Sequence, residues 1–105
     1  MPILDGLNFY SLARVKANLL TKTPKILVNE FHTDESEFTT KQMKQWTTAI
    51  FYINTNNGYT EFKDGTIIDS VANRMVTFPQ DMKHRGTSCT DEKIRVVINF
   101  NYYRK

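Results

Sequence analysis

Period-two alternation of apolar and polar residues is the strongest regularity in the chain, and it is clearest toward the C-terminus. Over 93–103 it sets Ile94, Val96, Ile98, Phe100 and Tyr102 on one face of an extended segment and Lys93, Arg95, Val97, Asn99, Asn101 and Tyr103 on the other. The first face is apolar throughout and suits packing. The second mixes an arginine and two amides with apolar neighbours, which suits a ligand-lined interior better than a packed core. Segment 46–54 divides in the same way, with Trp46, Thr48, Ile50, Tyr52 and Asn54 opposite Thr47, Ala49, Phe51 and Ile53. Segment 25–33 groups Ile26, Val28, Glu30 and His32, and continued alternation adds Asp34. Turn signals at Thr23-Pro24, Asn56-Asn57-Gly58, Asp64-Gly65, Phe78-Pro79 and Arg85-Gly86 delimit about eight strands: 11–20, 25–33, 46–54, 59–63, 66–70, 75–79, 83–88 and 93–103. Asp64-Gly65 predicts a two-residue hairpin turn. Only 36–45, with Ser36 as a cap, predicts a turn or two of helix. The pattern predicts an all-β jelly roll or barrel-like sandwich with little helix.

Composition agrees. Thirteen Thr, eight Ile and six Val stand against four Ala and six Leu, a bias toward strands. With 105 residues and no linker, repeat or low-complexity tract, 1–105 reads as a single minimal domain with one modest core. No apolar run approaches the roughly 20 residues of a membrane-spanning helix. The start Met1-Pro2-Ile3-Leu4-Asp5 lacks the basic and long apolar regions of a secretion signal, and Cys89 is the sole cysteine, so the expected compartment is reducing and cytoplasmic. The net charge of +3 comes from basic residues interspersed with acidic ones, weak support for a nucleic-acid partner.

The chain has two histidines. His32-Thr33-Asp34 puts an imidazole and a carboxylate on the same side of an extended segment, within reach of one metal ion. His84 lies 52 positions later, but a closing sandwich can bring it to the same point and complete a two-histidine, one-carboxylate face with three open coordination positions. Taken singly these residues, like Arg95 in its strand and Tyr52 among core aromatics, are ordinary.

Their order is not ordinary. His32-x-Asp34, then Tyr52-Ile53-Asn54, then His84, then Arg95 eleven residues on, resembles the 2-oxoglutarate- and Fe(II)-dependent dioxygenases, in particular the prolyl-hydroxylase-like branch and its short phage and bacterial members. The Phe-Tyr-Ile-Asn strand, Asn57-Gly58-Tyr59-Thr60-Glu61-Phe62 and Asn73-Arg74-Met75-Val76-Thr77-Phe78 add to the likeness, which spans roughly 25–103. The resemblance implies a double-stranded β-helix in which His32, Asp34 and His84 bind Fe(II) as the catalytic centre. It implies that Arg95 holds the far carboxylate of 2-oxoglutarate, helped by the Tyr52 hydroxyl. A guanidinium is a planar, permanently charged, bidentate match for that group. The implied reaction takes 2-oxoglutarate and O2, with ascorbate as an auxiliary reductant, releases succinate and CO2, and hydroxylates a C–H bond. Asp34 points to hydroxylation or a related oxidation, since halogenating relatives carry a small residue there. Asn101 stands where the nucleic-acid dealkylating branch has a second arginine, which argues against a base-repair enzyme, and a nucleic-acid partner is not expected. Asn99 and Asn101 are further candidates for the pocket wall.

Typical members cover the larger sheet with an N-terminal helical layer, whereas strand-like sequence begins here by about residue 11. The face of Ile94, Val96, Ile98, Phe100 and Tyr102, with Phe51 and Ile53, is therefore expected to be bare, and a homodimer through this sheet is the expected remedy, with segment 1–10 contributing. A fragment of a longer enzyme would also account for it. Two other readings stay open: a non-catalytic jelly-roll binding or virion structural protein, and a cupin-type metalloenzyme without cosubstrate, although cupins usually supply more than two histidines. The substrate, small molecule or peptide, is not identified; Arg14, Lys16, Arg74 and Arg85 are candidates for a cationic rim.

Overall fold

The computed structural model describes residues 9–33 and 46–104, which leaves Asp34 and the predicted helix over 36–45 outside the described residues. Within them the chain is all β, without helix, in seven strands: β1 (Phe9–Thr21), β2 (Trp46–Tyr52), β3 (Tyr59–Phe62), β4 (Ile67–Asp69), β5 (Met75–Pro79), β6 (His84–Gly86) and β7 (Ile94–Arg104). They form two antiparallel sheets, one ordered β1-β7-β2-β5 and the other β4-β3-β6. The architecture is the jelly roll that the short, regularly punctuated strands predict.

Register decides what faces inward. Strand β7 lies between β1 and β2, with Arg95, Val97, Asn99 and Asn101 opposite Leu20, Asn18, Lys16 and Arg14 on one side, and Val97, Asn99 and Asn101 opposite Tyr52, Ile50 and Thr48 on the other. Directly paired residues share a face of the sheet, so these positions form one continuous wall. Inside it Ile50, Tyr52, Phe62, Phe78 and Val97 form a core that joins the two sheets, with Phe62 and Phe78 edge to face at 4.8 Å. Where β2 ends, the Asn54 side chain continues its role, donating to the Ile94 carbonyl and accepting from the Val96 N–H.

Two local expectations change. The eighth segment, 25–33, is extended but makes only two isolated antiparallel bridges, Val28 with Thr87 and His32 with His84. Four residues on one side span three on the other, so the pairing slips by one, as in a β-bulge, and no continuous ladder forms. The slip also breaks the predicted grouping of Val28 with His32. The turn at Asp64-Gly65 is a three-residue connection, because Glu61 pairs with Ile67, Phe62 N–H donates to the Thr66 carbonyl and Gly65 N–H donates to the Phe62 carbonyl. Gly65 closes it at φ 94°, a conformation glycine adopts without strain.

The outer face of the larger sheet is covered unevenly. Phe100 and Tyr102 are buried with Ala49, whereas Leu19 is 59% and Val15 45% exposed. A wholly bare apolar sheet is thus corrected to an exposed β1 edge, with partial exposure of Ile53 and Ile94.

Candidate functional site

Between the sheets lies a cavity of about 370 Å³, in the range of small-molecule sites. Arg95 enters it from β7 and is only 3% exposed. Its Nε donates to the Ser70 Oγ at 3.0 Å. Its stem crosses Gly58 so closely that a Cβ there would stand 2.6 Å from Arg95 Cδ and 2.8 Å from Nε. The Gly58 loop cannot easily move away. Asn56 Oδ1 accepts from Gly58 N–H, Asn56 N–H donates to the Ser70 carbonyl, Ser70 N–H donates to the Gly58 carbonyl, and Asn57 bonds Thr90 through both its amide atoms. One edge of the guanidinium is therefore tied down, and Nη1 lies beside the bare backbone of Gly86 at the cavity wall.

No aspartate or glutamate among the described residues pairs with Arg95. Burial pulls its pKa below the ordinary arginine value, opposed by the weaker influence of Tyr52 and Cys89. A guanidinium stays protonated all the same, and keeping it buried without a counter-charge costs several kcal/mol. A ligand carboxylate in the cavity would relieve that cost.

Tyr52 sits under this site. Its ring centre is 5.9 Å from the guanidinium carbon, and its hydroxyl donates to Thr60 Oγ1 at 2.7 Å. Thr60 lines the cavity and Tyr52 stands behind it, so the hydroxyl nearest a ligand is that of threonine. Burial raises the Tyr52 pKa, only partly offset by the Thr60 hydrogen bond and by Arg95. The unfolded chain would ionise this phenol while the folded chain keeps its proton, so its contribution to stability is intact below the ordinary tyrosine pKa and lost as pH rises through the folded value. Urea unfolding at about pH 9 and about pH 10.5 is expected to show a fall in stability that is smaller in Tyr52→Phe.

The two histidines meet. His32 and His84 exchange backbone hydrogen bonds of 2.9 and 3.0 Å, and their rings lie 4.7 Å apart at the cavity wall. His84 is buried against the edge of Phe78, 4.9 Å away, while His32 is exposed. Each Nδ1 approaches a carbonyl two residues back, Glu30 at 3.1 Å and Met82 at 3.3 Å. A carbonyl can only accept, so the proton of each neutral ring belongs on Nδ1 and its lone pair on Nε2, the arrangement found in metal-bound histidines. The direct antiparallel bridge between His32 and His84 sets the two rings on the same side.

Sequence reasoning missed Thr60, Ser70 and Gly58, whose roles depend on packing between loops. Of the expected cationic rim, Arg14 and Lys16 line the cavity. Arg85 instead pairs with Glu61, and Arg74 donates to the Asp69 carbonyl. Among the described residues that line the cavity there is no aspartate or glutamate.

Fold and cavity together define a jelly roll with a polar, cationic cavity. No protein-family model matches the sequence, and no curated protein does. Solved structures do match. A prolyl-4-hydroxylase from Pseudomonas putida aligns over 94% of this chain and 56% of its own, with a TM-score of 0.62 and 17% identity. A cupin protein from Bacteroides fragilis aligns over 94% of this chain and 71% of its own, with a TM-score of 0.58 and 13% identity. The Fe(II) enzyme HppE, solved with its substrate, aligns over 90% of this chain and 52% of its own, with a TM-score of 0.52 and 12% identity. At these identities the likeness is one of fold. Among the described residues no helix is long and apolar enough to cross a membrane.

Proposed function

We propose that the chain is an Fe(II)- and 2-oxoglutarate-dependent oxygenase that hydroxylates a C–H bond and releases succinate and CO2. The observation that carries this reading is Arg95: a buried guanidinium with one edge fixed, no protein carboxylate beside it, and a cavity in front of it. In this reading its Nη groups bind the far carboxylate of 2-oxoglutarate. Thr60 Oγ1, held by Tyr52, adds a polar contact on the opposite wall, and Ile50 and Val97 exclude water between them.

The donor set fits iron. His32 and His84 offer two Nε2 lone pairs from rings 4.7 Å apart, and Asp34, two residues beyond His32, would supply the carboxylate of a two-histidine, one-carboxylate triad. Bound there, iron supplies the coupling of O2 reduction to decarboxylation of the keto acid. The protein's part is to hold both histidines in one tautomer, to orient the cosubstrate through Arg95 and to keep the chamber dry.

The test is succinate formation from 2-oxoglutarate under O2 after anaerobic loading with Fe(II). Wild type is expected to release succinate, and His32→Ala and Arg95→Ala to lower the rate by about 100-fold or more. Equal rates in all three would sink the proposal. The likeness to the Bacteroides cupin favours one other reading, a jelly-roll module that binds an anion at Arg95 without chemistry. That module would hold a dicarboxylate but no stoichiometric iron, nickel or zinc.

A further inference from the structure

Strand β1 ends the larger sheet, and its ladder to β7 runs without a break from Arg14 to Thr21. One bond just past the strand shows which of its backbone groups that ladder uses. Lys22 N–H donates to the Lys93 carbonyl, so these two form a hydrogen-bonded pair, and the antiparallel pattern gives the same role to Leu20, Asn18, Lys16 and Arg14. The Asn54 side chain fixes the same phase from the other edge of β7, where it bonds Ile94 C=O and Val96 N–H on the β2 side. The N–H and C=O groups of Val15, Ala17 and Leu19 therefore point away from β7, to a side where no further strand lies among the described residues. The side chains of these three residues are exposed as well. So are Leu27 and Val28, in the segment that flanks β6 across the cavity from β1. A straight edge with free backbone groups and apolar side chains is a template for another strand. No proline or bulge interrupts 14–21, and its cations, Arg14 and Lys16, alternate onto the other face.

We propose that this edge is occupied by β1 of a second copy of the chain, paired antiparallel about a two-fold axis at Ala17. The choice of register follows from what each one sets opposite what. Centred on Ala17, Val15 meets the partner's Leu19, Ala17 meets the partner's Ala17, and Lys16 meets the partner's Asn18, so apolar residues face apolar ones and no like charges are opposed. All of 14–20 then pairs within the unbroken stretch. Centring on Lys16 sets that lysine against itself and runs into the irregularity between Leu12 and Arg14. Centring on Asn18 sets Arg14 against the partner's Lys22 and Val15 against the partner's Thr21. The pairing adds about six backbone hydrogen bonds and joins the two larger sheets into one. Opposed residues share a face, so both cavities open on the same side of that sheet. The contact is self-complementary and closes at two copies, so it removes the edge without building a fibre. None of this rests on the oxygenase reading.

Sedimentation velocity of the full chain between about 5 and about 200 micromolar is expected to show monomer and dimer in exchange, with Kd in the micromolar range that suits a small interface. Leu19→Lys changes an exposed residue, so it should keep the wild-type circular dichroism while weakening the dimer by about tenfold or more. Ala17→Pro removes an N–H that the ladder to β7 does not use, and is expected to give monomer. Register is read by cross-linking single-cysteine variants with copper phenanthroline; Cys89 is fully buried and does not compete. In Ala17→Cys the two copies of position 17 stand about 5.5 Å apart between Cα atoms, within reach of a disulfide, and a covalent dimer is expected. In Lys16→Cys and Asn18→Cys the like positions are offset along the strands, and cross-linking is expected to be at least about tenfold slower. A protein that stays monomeric at about 200 micromolar, an unchanged Kd in Leu19→Lys, or faster cross-linking in Lys16→Cys or Asn18→Cys than in Ala17→Cys would each overturn the proposal.

Discussion

Arg95→Met is expected to weaken 2-oxoglutarate binding by about 100-fold or more while leaving the ligand-free protein at least as stable as wild type. The two effects have opposite sign because they read the same charge in two states. With ligand bound, Arg95 meets a carboxylate through charge-assisted hydrogen bonds, and losing them removes the anchor of the complex. Without ligand, the guanidinium is buried with no carboxylate among the described residues. Methionine fills much of the same volume without a charge. The substitution also removes the bond from Nε to Ser70, which costs about 1 kcal/mol, against several kcal/mol for an unpaired buried cation. The net change should therefore be neutral or stabilising. Calorimetric titration and thermal unfolding in a buffer without carboxylate or phosphate measure both. An Arg95 that serves only as structure would show the reverse, a destabilised variant with unchanged affinity.

Gly58→Ala should lose stability and ligand affinity together. Its backbone adopts no conformation reserved for glycine; the difficulty is space, with a methyl group placed 2.6 Å from Arg95 Cδ and 2.8 Å from Asn56 Oδ1. Arginine side chains usually give way. This one is held by Ser70 and enclosed by the core, so something must shift, at a cost of about 1–3 kcal/mol. Displacing the guanidinium should also weaken 2-oxoglutarate by at least about tenfold. The mechanism is checked by a double-mutant cycle. In an Arg95→Ala background the part of the stability penalty of Gly58→Ala that comes from the arginine should disappear, while the 2.8 Å contact with Asn56 Oδ1 retains the rest. A penalty that persists in full would mean that the loop, rather than the arginine, responds to the methyl group.

How far the sequence disclosed this site follows from the range of each interaction. The inward face of β7 was legible because the pleat forces alternation and because an arginine and two amides stand out on it. The jelly roll was legible from the punctuation of short strands. The face of 25–33 was not, since a one-residue slip between the Val28 and His32 bridges is a tertiary event that alternation cannot register. Asn57-Gly58 reads as a turn from composition alone, but its second role, clearance for Arg95, exists only once the 56–58 loop is pinned to Ser70 and Thr90. Arg14 and Lys16 alternate visibly along β1. Which side they face depends on their pairing with Asn101 and Asn99, which no local pattern supplies.

The account stands or falls on whether the cavity takes the cosubstrate. Anaerobic calorimetric titration of the Fe(II)-loaded full chain with 2-oxoglutarate should show one equivalent binding, with Kd in the micromolar range, as expected for a dicarboxylate held by both a guanidinium and a metal site. Absence of binding at millimolar 2-oxoglutarate would contradict it.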